Sequence, residues 1–341
     1  MAPGSARAPG RPAIAAPVSL PEEVDGLADE GANELYCGVT PERWTERYGD
    51  AGWLNRRGAG KANLESLAEL ERLVRRAHER RLSVSVTVNA PYYTAEQLPA
   101  VVLLCGQLGQ AGVDGLIVSD PGLMLALREA GARLRVTASS VAAIRNRGAA
   151  AFFCELGATR IILPRHLSVD AIEAIRGQVD VELEVFALND GCVYEEGFCA
   201  TTHAAGAFCL TEWEYDFTRA DGAPPSAEEG RALAENVRDY REWTWYLANC
   251  GSTLSARRLP NGPCALCAVW DFHRMGIDCL KIVGREAHPQ RKRRSVELVH
   301  AVVEMAAAGA SKAEIRAFAR EVRCTPEHCD AGYMCYYREV G

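Results

Sequence analysis

No run of about 18 apolar residues occurs anywhere in the 341-residue chain, so no segment reads as a helix able to cross a membrane. Basic charge is short as well. The 38 Lys and Arg are outnumbered by 45 Asp and Glu, for a formal net charge of −7, and a dedicated nucleic-acid binder normally shows a basic stripe. Several catalytic signatures are missing. Gly58-Ala-Gly-Lys-Ala62 lacks the earlier glycine and the Ser/Thr of a phosphate loop. There is no HExxH, no GxSxG and no dinucleotide fingerprint, and the CxxxCxxC triplet of radical enzymes is absent. The first dozen residues (MAPGSARAPGRP) have no apolar stretch behind them. They read as a disordered leader, not a secretory signal, and point to a cytoplasmic protein.

What the chain has in excess is cysteine, 13 in all. In a reducing compartment thiols persist and bind metals instead of pairing, and an odd count fits poorly with a disulfide framework. Hydrophobic residues at 48% and charged residues at 24% place the rest among ordinary globular enzymes.

Eight short β-branched or apolar runs recur along the chain: Pro12–Val18, Glu34–Val39, Leu82–Asn89, Gly115–Asp120, Leu134–Ser140, Arg160–Arg165, Val181–Leu188 and Cys279–Gly284. Between most of them lie stretches with apolar residues three and four apart, namely Leu64–Arg80, Glu96–Ala111, Leu123–Ala130, Ala142–Leu156 and Val169–Ile175. Alternating strand and helix predicts parallel strands joined by right-handed crossovers, and eight of them predict a closed (β/α)8 TIM-type barrel. Gly112, Gly131 and Gly157 each stand just before the next strand, where a helix commonly ends on a left-handed residue. The expected organisation is a leader over 1–12, a barrel over 13–294 and two helices with a cysteine-rich tail over 295–341. A cysteine-rich insertion over 189–278 follows the seventh strand. The basic run Arg291-Lys-Arg-Arg294 reads as a solvated face of the first of those helices.

In a parallel barrel the chemistry collects at the C-terminal strand ends. Cys192-x6-Cys199-x9-Cys209 begins four residues past the seventh strand. Thiolates suit iron–sulfur clusters or zinc. Zinc sites usually pair ligands two to four residues apart, so these wider, glycine-bearing gaps favour a larger inorganic core. The fourth ligand is expected from the Cys264/Cys267 pair. In the tail, Cys324, Cys329 and Cys335 lie within twelve residues beside His328, and with one thiol of that pair, Cys264, they could complete a second site. Cys105, Cys154 and Cys279 read as small core residues. Arg165, Lys281 and Arg285 could converge at the mouth and hold a small anionic substrate or co-substrate. Glu184, inside an otherwise apolar strand, needs either a cationic partner or a proton-transfer task.

These residues resemble peptidase family U32. The resemblance runs through Leu183-Glu-Val-Phe-Ala-Leu-Asn-Asp-Gly-Cys-Val-Tyr-Glu-Glu-Gly-Phe-Cys199, then Cys279-Leu-Lys-Ile-Val-Gly-Arg285 against the family's LKIEGR, and Ile161-Ile-Leu-Pro-Arg165 with Leu167-Ser168 against its LPR-x-LS element. It covers about Pro12 to Arg294. It implies a barrel carrying a [4Fe-4S] cluster on Cys192, Cys199, Cys209 and, as fourth ligand, Cys267. It also implies hydroxylation without molecular oxygen, of a small metabolite or an RNA base, in some members with a prephenate-like oxygen donor. The acidic balance favours the metabolite, and related proteins can work as paired homologous subunits. A peptidase, as the family name says, and a non-catalytic iron–sulfur subunit are the alternatives. Val283 replaces the family's glutamate in LKIEGR, and the cysteine-rich tail lies outside the common pattern.

Overall fold

The computed structural model describes residues 10–49, 52–57, 62–189, 213–250, 263–332 and 334–341, side chains of 243–250 excepted. Eight strands form a closed parallel barrel in sequence order: β1 (Ala13–Pro17), β2 (Glu34–Cys37), β3 (Ser83–Val88), β4 (Gly115–Val118), β5 (Arg135–Ala138), β6 (Arg160–Ile162), β7 (Glu182–Leu188) and β8 (Cys279–Ile282). β8 closes on β1 with Cys279 opposite Ala13 and Lys281 opposite Ala15.

Helices run between the strands for the reasons the sequence suggests. In Leu67–Glu79 the residues Leu70, Leu73, Val74 and Ala77 recur on one face and are buried, while Ser66 caps the first turn through the Glu69 amide. Asp120, Asn146 and Ser168 cap Pro121–Glu129, Arg147–Glu155 and Val169–Arg176 in the same way. Gly112, Gly131 and Gly157 have φ of 84°, 68° and 101°, the left-handed geometry expected of them. Two short helices, Val24–Asp29 and Glu42–Tyr48, were not legible as helical patterns.

The apolar residues form two separate bodies. The larger packs the outer sheet face against the helices; the smaller is Tyr36, Ile117, Ile162 and Phe186. Because side chains on a strand alternate between faces, Phe186 shares its side of β7 with Glu184 and Glu182, and the ring cluster sits with them inside the barrel. Helices Pro289–Ala307 and Lys312–Arg323 follow β8.

The basic run at the start of the first of these is not wholly a solvated face. Lys292 is 1% exposed and its Nζ reaches Glu23 Oε2 at 2.9 Å and Ser19 Oγ at 2.6 Å. A helix turns each residue of a four-residue run to a different side, and Lys292 is the one that faces the barrel. Between β7 and β8 the described part includes a 24-residue helix, Ala227–Cys250. Cys192, Cys199 and Cys209 lie outside the described residues.

Candidate functional site at the barrel mouth and the thiol pocket

The barrel interior is charged at its base. Arg160, the first residue of β6, contacts Glu34 Oε2 at 2.6 Å, Glu182 Oε2 at 2.7 Å and Glu184 Oε2 at 3.2 Å. Lys281 Nζ meets Glu184 Oε1 at 2.7 Å and lies 3.7 Å from the centre of the Tyr36 ring. Burial pushes the Glu184 carboxyl up, but Lys281 and Arg160 outweigh it and hold the group below the usual carboxylate range. Glu184 therefore has the cationic partners that the sequence demanded, and Lys281 is engaged by it.

The three cations expected at the mouth are divided. Arg165 stacks over Phe186, its guanidinium carbon 5.1 Å from the ring centre. Lys281 covers Tyr36, a neighbour of Phe186 in the same interior cluster. Arg285 occupies a cage of neutral groups. Its Nη1 donates to Asn63 Oδ1 and Thr87 Oγ1, both at 3.0 Å, and its Nη2 to Asn55 Oδ1 at 3.2 Å.

Asn55 Nδ2 ties the two amides together through Asn63 Oδ1, and Thr87 Oγ1 donates to the Cys37 carbonyl. Among the described residues no carboxylate forms an ion pair with Arg285, although it is buried. Burial moves its pKa down to about 10. Gly38 makes the cage, since a Cβ there would lie 2.0 Å from Arg285 Nη1 and 1.9 Å from Asn63 Oδ1. A cation held by neutral acceptors at the C-terminal end of a barrel is suited to an incoming anion.

Other strand-end residues are structural. Asp120 caps a helix and accepts from the Tyr93 amide at 2.8 Å. Asn89 Nδ2 donates to Ser139 Oγ at 3.1 Å, and Asn189, at φ 78°, donates to Ser295 Oγ at 2.8 Å. Cys37 and Cys105 are buried thiols pushed up to about 12 by burial, and Cys279 is buried in β8.

A second locus lies against the end of β7. The Cys264 segment is sandwiched: the Ala265 amide donates to the Ala187 carbonyl at 2.9 Å, while the Cys264 amide donates to Met334 and its carbonyl accepts from Tyr336. Bridges pair Cys264 with Leu188 on one side and with Cys335 on the other. The tail is thereby docked on the barrel, with Tyr336 6.2 Å from Phe186 and Tyr337 5.0 Å from Phe272.

Cys264, Cys267, Cys329 and Cys335 line one pocket of about 510 Å³ including its open mouth, with His328 in its wall. Burial pushes Cys267 up to about 12 and Cys335 to about 11, and neighbouring thiols push each further the same way. The grouping joins Cys267 to the tail thiols, whereas Cys324 is exposed at the left-handed end of its helix, φ 53°. Among the described residues, no group of three or more His, Cys, Asp or Glu is placed to hold a metal ion. Sequence reasoning missed Gly38, Asn55, Asn63 and Thr87; nothing in their spacing marks a cage for a residue some 200 positions away.

Comparison with known proteins bears on this architecture. The pattern of Peptidase family U32 matches residues 20–341. The chain is 34% identical over 148 residues to the 23S rRNA 5-hydroxycytidine C2501 synthase of Escherichia coli (strain K12), 43% of this chain and 22% of that one. It is 25% identical over 286 residues to the tRNA hydroxylation protein P1 of Bacillus subtilis (strain 168), 81% of this chain and 59% of that one. The tRNA hydroxylation protein P2 of the same organism is 25% identical over 219 residues, 64% of this chain and 67% of that one. The chain thus spans between about a fifth and three-fifths of the first two relatives' lengths. No described helix is long and apolar enough to cross a membrane. With a match that runs from the first strand's end through the docked tail, the chain belongs to peptidase family U32.

Proposed function

We propose that this protein is an iron–sulfur-dependent hydroxylase that modifies an RNA base without molecular oxygen. The observation that carries the reading is that the three relatives above are all named for the hydroxylation of rRNA or tRNA or for a hydroxylated rRNA product. RNA replaces the small metabolite as the favoured acceptor for that reason, despite the acidic balance of the chain.

In this reading Cys192, Cys199 and Cys209 hold a [4Fe-4S] cluster, with the fourth thiolate from the Cys264/Cys267 pair. The donor chemistry fits: the described member of the set, Cys267, faces a pocket walled by soft sulfur ligands. Such a cluster, when bound, would supply one-electron and Lewis-acid chemistry.

The described residues do the rest. Arg285 binds a carboxylate on the oxygen donor, a molecule of the prephenate kind, because its guanidinium is buried, preorganised by Asn55, Asn63 and Thr87, and lacks a protein counter-charge among the described residues. Arg165 over Phe186 gives the interior face a second positive edge. The rings and side chains of Tyr36, Ile117, Ile162 and Phe186 close the floor against water. Glu184 orients Lys281 through their ion pair. Two relatives in one organism, P1 and P2, support a second U32 chain as a partner.

The test is nucleoside mass spectrometry of total RNA from a strain lacking the gene, grown without oxygen. Loss of one hydroxylated nucleoside, restored by the gene, supports the reading. An unchanged nucleoside profile contradicts it.

A further inference from the structure

We infer that the barrel rim formed by the loops after β2 and β3 is a stacking platform for unpaired RNA bases, built from Tyr92 and from Trp53 with Arg56. The inference rests on the RNA reading above and names the surface that holds that substrate.

Tyr92 is 71% exposed, the most open large apolar side chain among the described residues. The chain around it is tied down. The adjacent Tyr93 is buried, its hydroxyl donating to the Leu54 carbonyl at 2.6 Å and its amide to Asp120 Oδ2 at 2.8 Å. Asn89 fixes the start of the same loop, since its carbonyl accepts from Ser119 Oγ at 3.3 Å and its Nδ2 donates to Ser139 Oγ. A ring presented to water on a loop held at several points has little ordering left to lose when a flat partner covers it.

Two contacts join this loop to the one after β2. Tyr93 reaches Leu54, and the Arg56 amide donates to Asn89 Oδ1 at 3.3 Å. The Arg56 guanidinium carbon lies 5.7 Å from the centre of the half-buried Trp53 ring. Between those two residues, Asn55 Oδ1 accepts from Arg285 Nη2 at 3.2 Å. The platform and the Arg285 cage therefore share one short stretch of chain, which brings a stacked base beside the site assigned to the oxygen donor.

Every nucleobase has a π face, and aromatic rings and guanidinium planes are what unpaired bases stack on. An enzyme that works on a base must take it out of a duplex, and a ring at the rim replaces the stacking that the base has lost. Charge agrees with this although the chain is acidic overall. The segments after β2, β5, β6 and β8 bring Arg56, Arg57, Arg145, Arg165 and Arg285 to this end of the barrel. Asp120, by contrast, caps a helix, and Glu286 lies 3.8 Å from Arg57. Other exposed aromatics lack such a setting. Phe152 lies on the helix Arg147–Glu155, and Tyr215 and Phe217 stack on each other, 6.0 Å apart.

The experiment is fluorescence anisotropy of full-length protein with a fluorescein-labelled, mixed-sequence RNA of about 15 nucleotides, as single strand and as duplex. It compares wild type, Tyr92→Ala, Tyr92→Phe and Phe152→Ala. Stacking contributes about 5- to 150-fold per base, so Tyr92→Ala is expected to weaken single-strand binding by that order. Tyr92→Phe, which keeps the ring, and Phe152→Ala, away from the mouth, are expected to bind as wild type does. Tyr92→Ala binding as tightly as wild type overturns the proposal, and so does an equal loss in Tyr92→Phe. A wild type that binds neither RNA also overturns it and leaves the rim as a protein contact. Tyr92-dependent binding with an unchanged nucleoside profile in the deletion strain keeps the platform and removes hydroxylation. A lost nucleoside with binding indifferent to Tyr92 does the reverse.

Discussion

Lys281 Nζ and Glu184 Oε1 stand 2.7 Å apart inside the barrel, between a charged base and a ring-lined mouth. The pair is buried on both sides, so removing Glu184 strands Lys281, whereas Glu184 keeps Arg160 as a second partner. Such a break costs about 3–5 kcal/mol, whereas removing both charges together is often near neutral. Glu184→Gln is therefore expected to lower unfolding stability strongly in urea titration, with Glu184→Gln/Lys281→Met recovering most of the loss. A Glu184→Gln variant as stable as wild type would contradict the structural role.

The same carboxylate sets an acid limit. Its folded pKa lies below the ordinary 4.5, so its stabilising contribution is complete above that value and is lost as pH falls through the folded pKa. Stability measured by denaturant from pH 6 downward should decline through the acid range in wild type, with a shallower slope in Glu184→Gln.

Arg285 makes a sharper functional prediction. Hydrogen bonds to charged groups contribute about 1.5–3 kcal/mol, or roughly 10- to 150-fold in donor binding. Arg285→Lys, which cannot reproduce the fork to Asn55, Asn63 and Thr87, is expected to raise the donor's KM by that order while leaving the protein folded. Gly38→Ala should reproduce the defect with residue 285 unchanged, because its Cβ would fall 2.0 Å from Nη1 and displace the guanidinium from its cage. The check is RNA hydroxylation against donor concentration for both variants; unaltered KM in both would remove Arg285 from the site.

Lys292 links the helix after β8 to the start of the barrel through Glu23 and Ser19. Lys292→Met is expected to destabilise by about 3–5 kcal/mol, with much of the loss recovered in Lys292→Met/Glu23→Gln. Per folded molecule, hydroxylation should be unchanged. Thermal unfolding of the two variants measures the coupling.

The strands were legible to within about three residues, the largest overrun being the sixth, expected to Arg165 and ending at Ile162, because each is a short apolar run bounded by glycine, proline or charge. The alternation with helices was enough to give the barrel. Glu42–Tyr48 escaped because seven residues are too few to show a helical period, and its start rests on Pro41 and not a side-chain cap. Lys292 was misread because its partner, Glu23, is 269 residues away. The tail cysteines announced themselves by spacing. Which of them face Cys264 depends on the turn at Cys324, where left-handed backbone leaves that residue exposed. Glu184 was marked by chemistry alone, and only the fold could supply both of its partners.

The most direct test of cluster-dependent RNA hydroxylation is complementation of a gene-deletion strain, grown without oxygen, with wild type or Cys192→Ala. The hydroxylated nucleoside is quantified alongside the iron and sulfide content of the purified chains. The account predicts that wild type restores the nucleoside and that Cys192→Ala, short of about four irons, does not. Full restoration by a Cys192→Ala protein lacking that iron would contradict it.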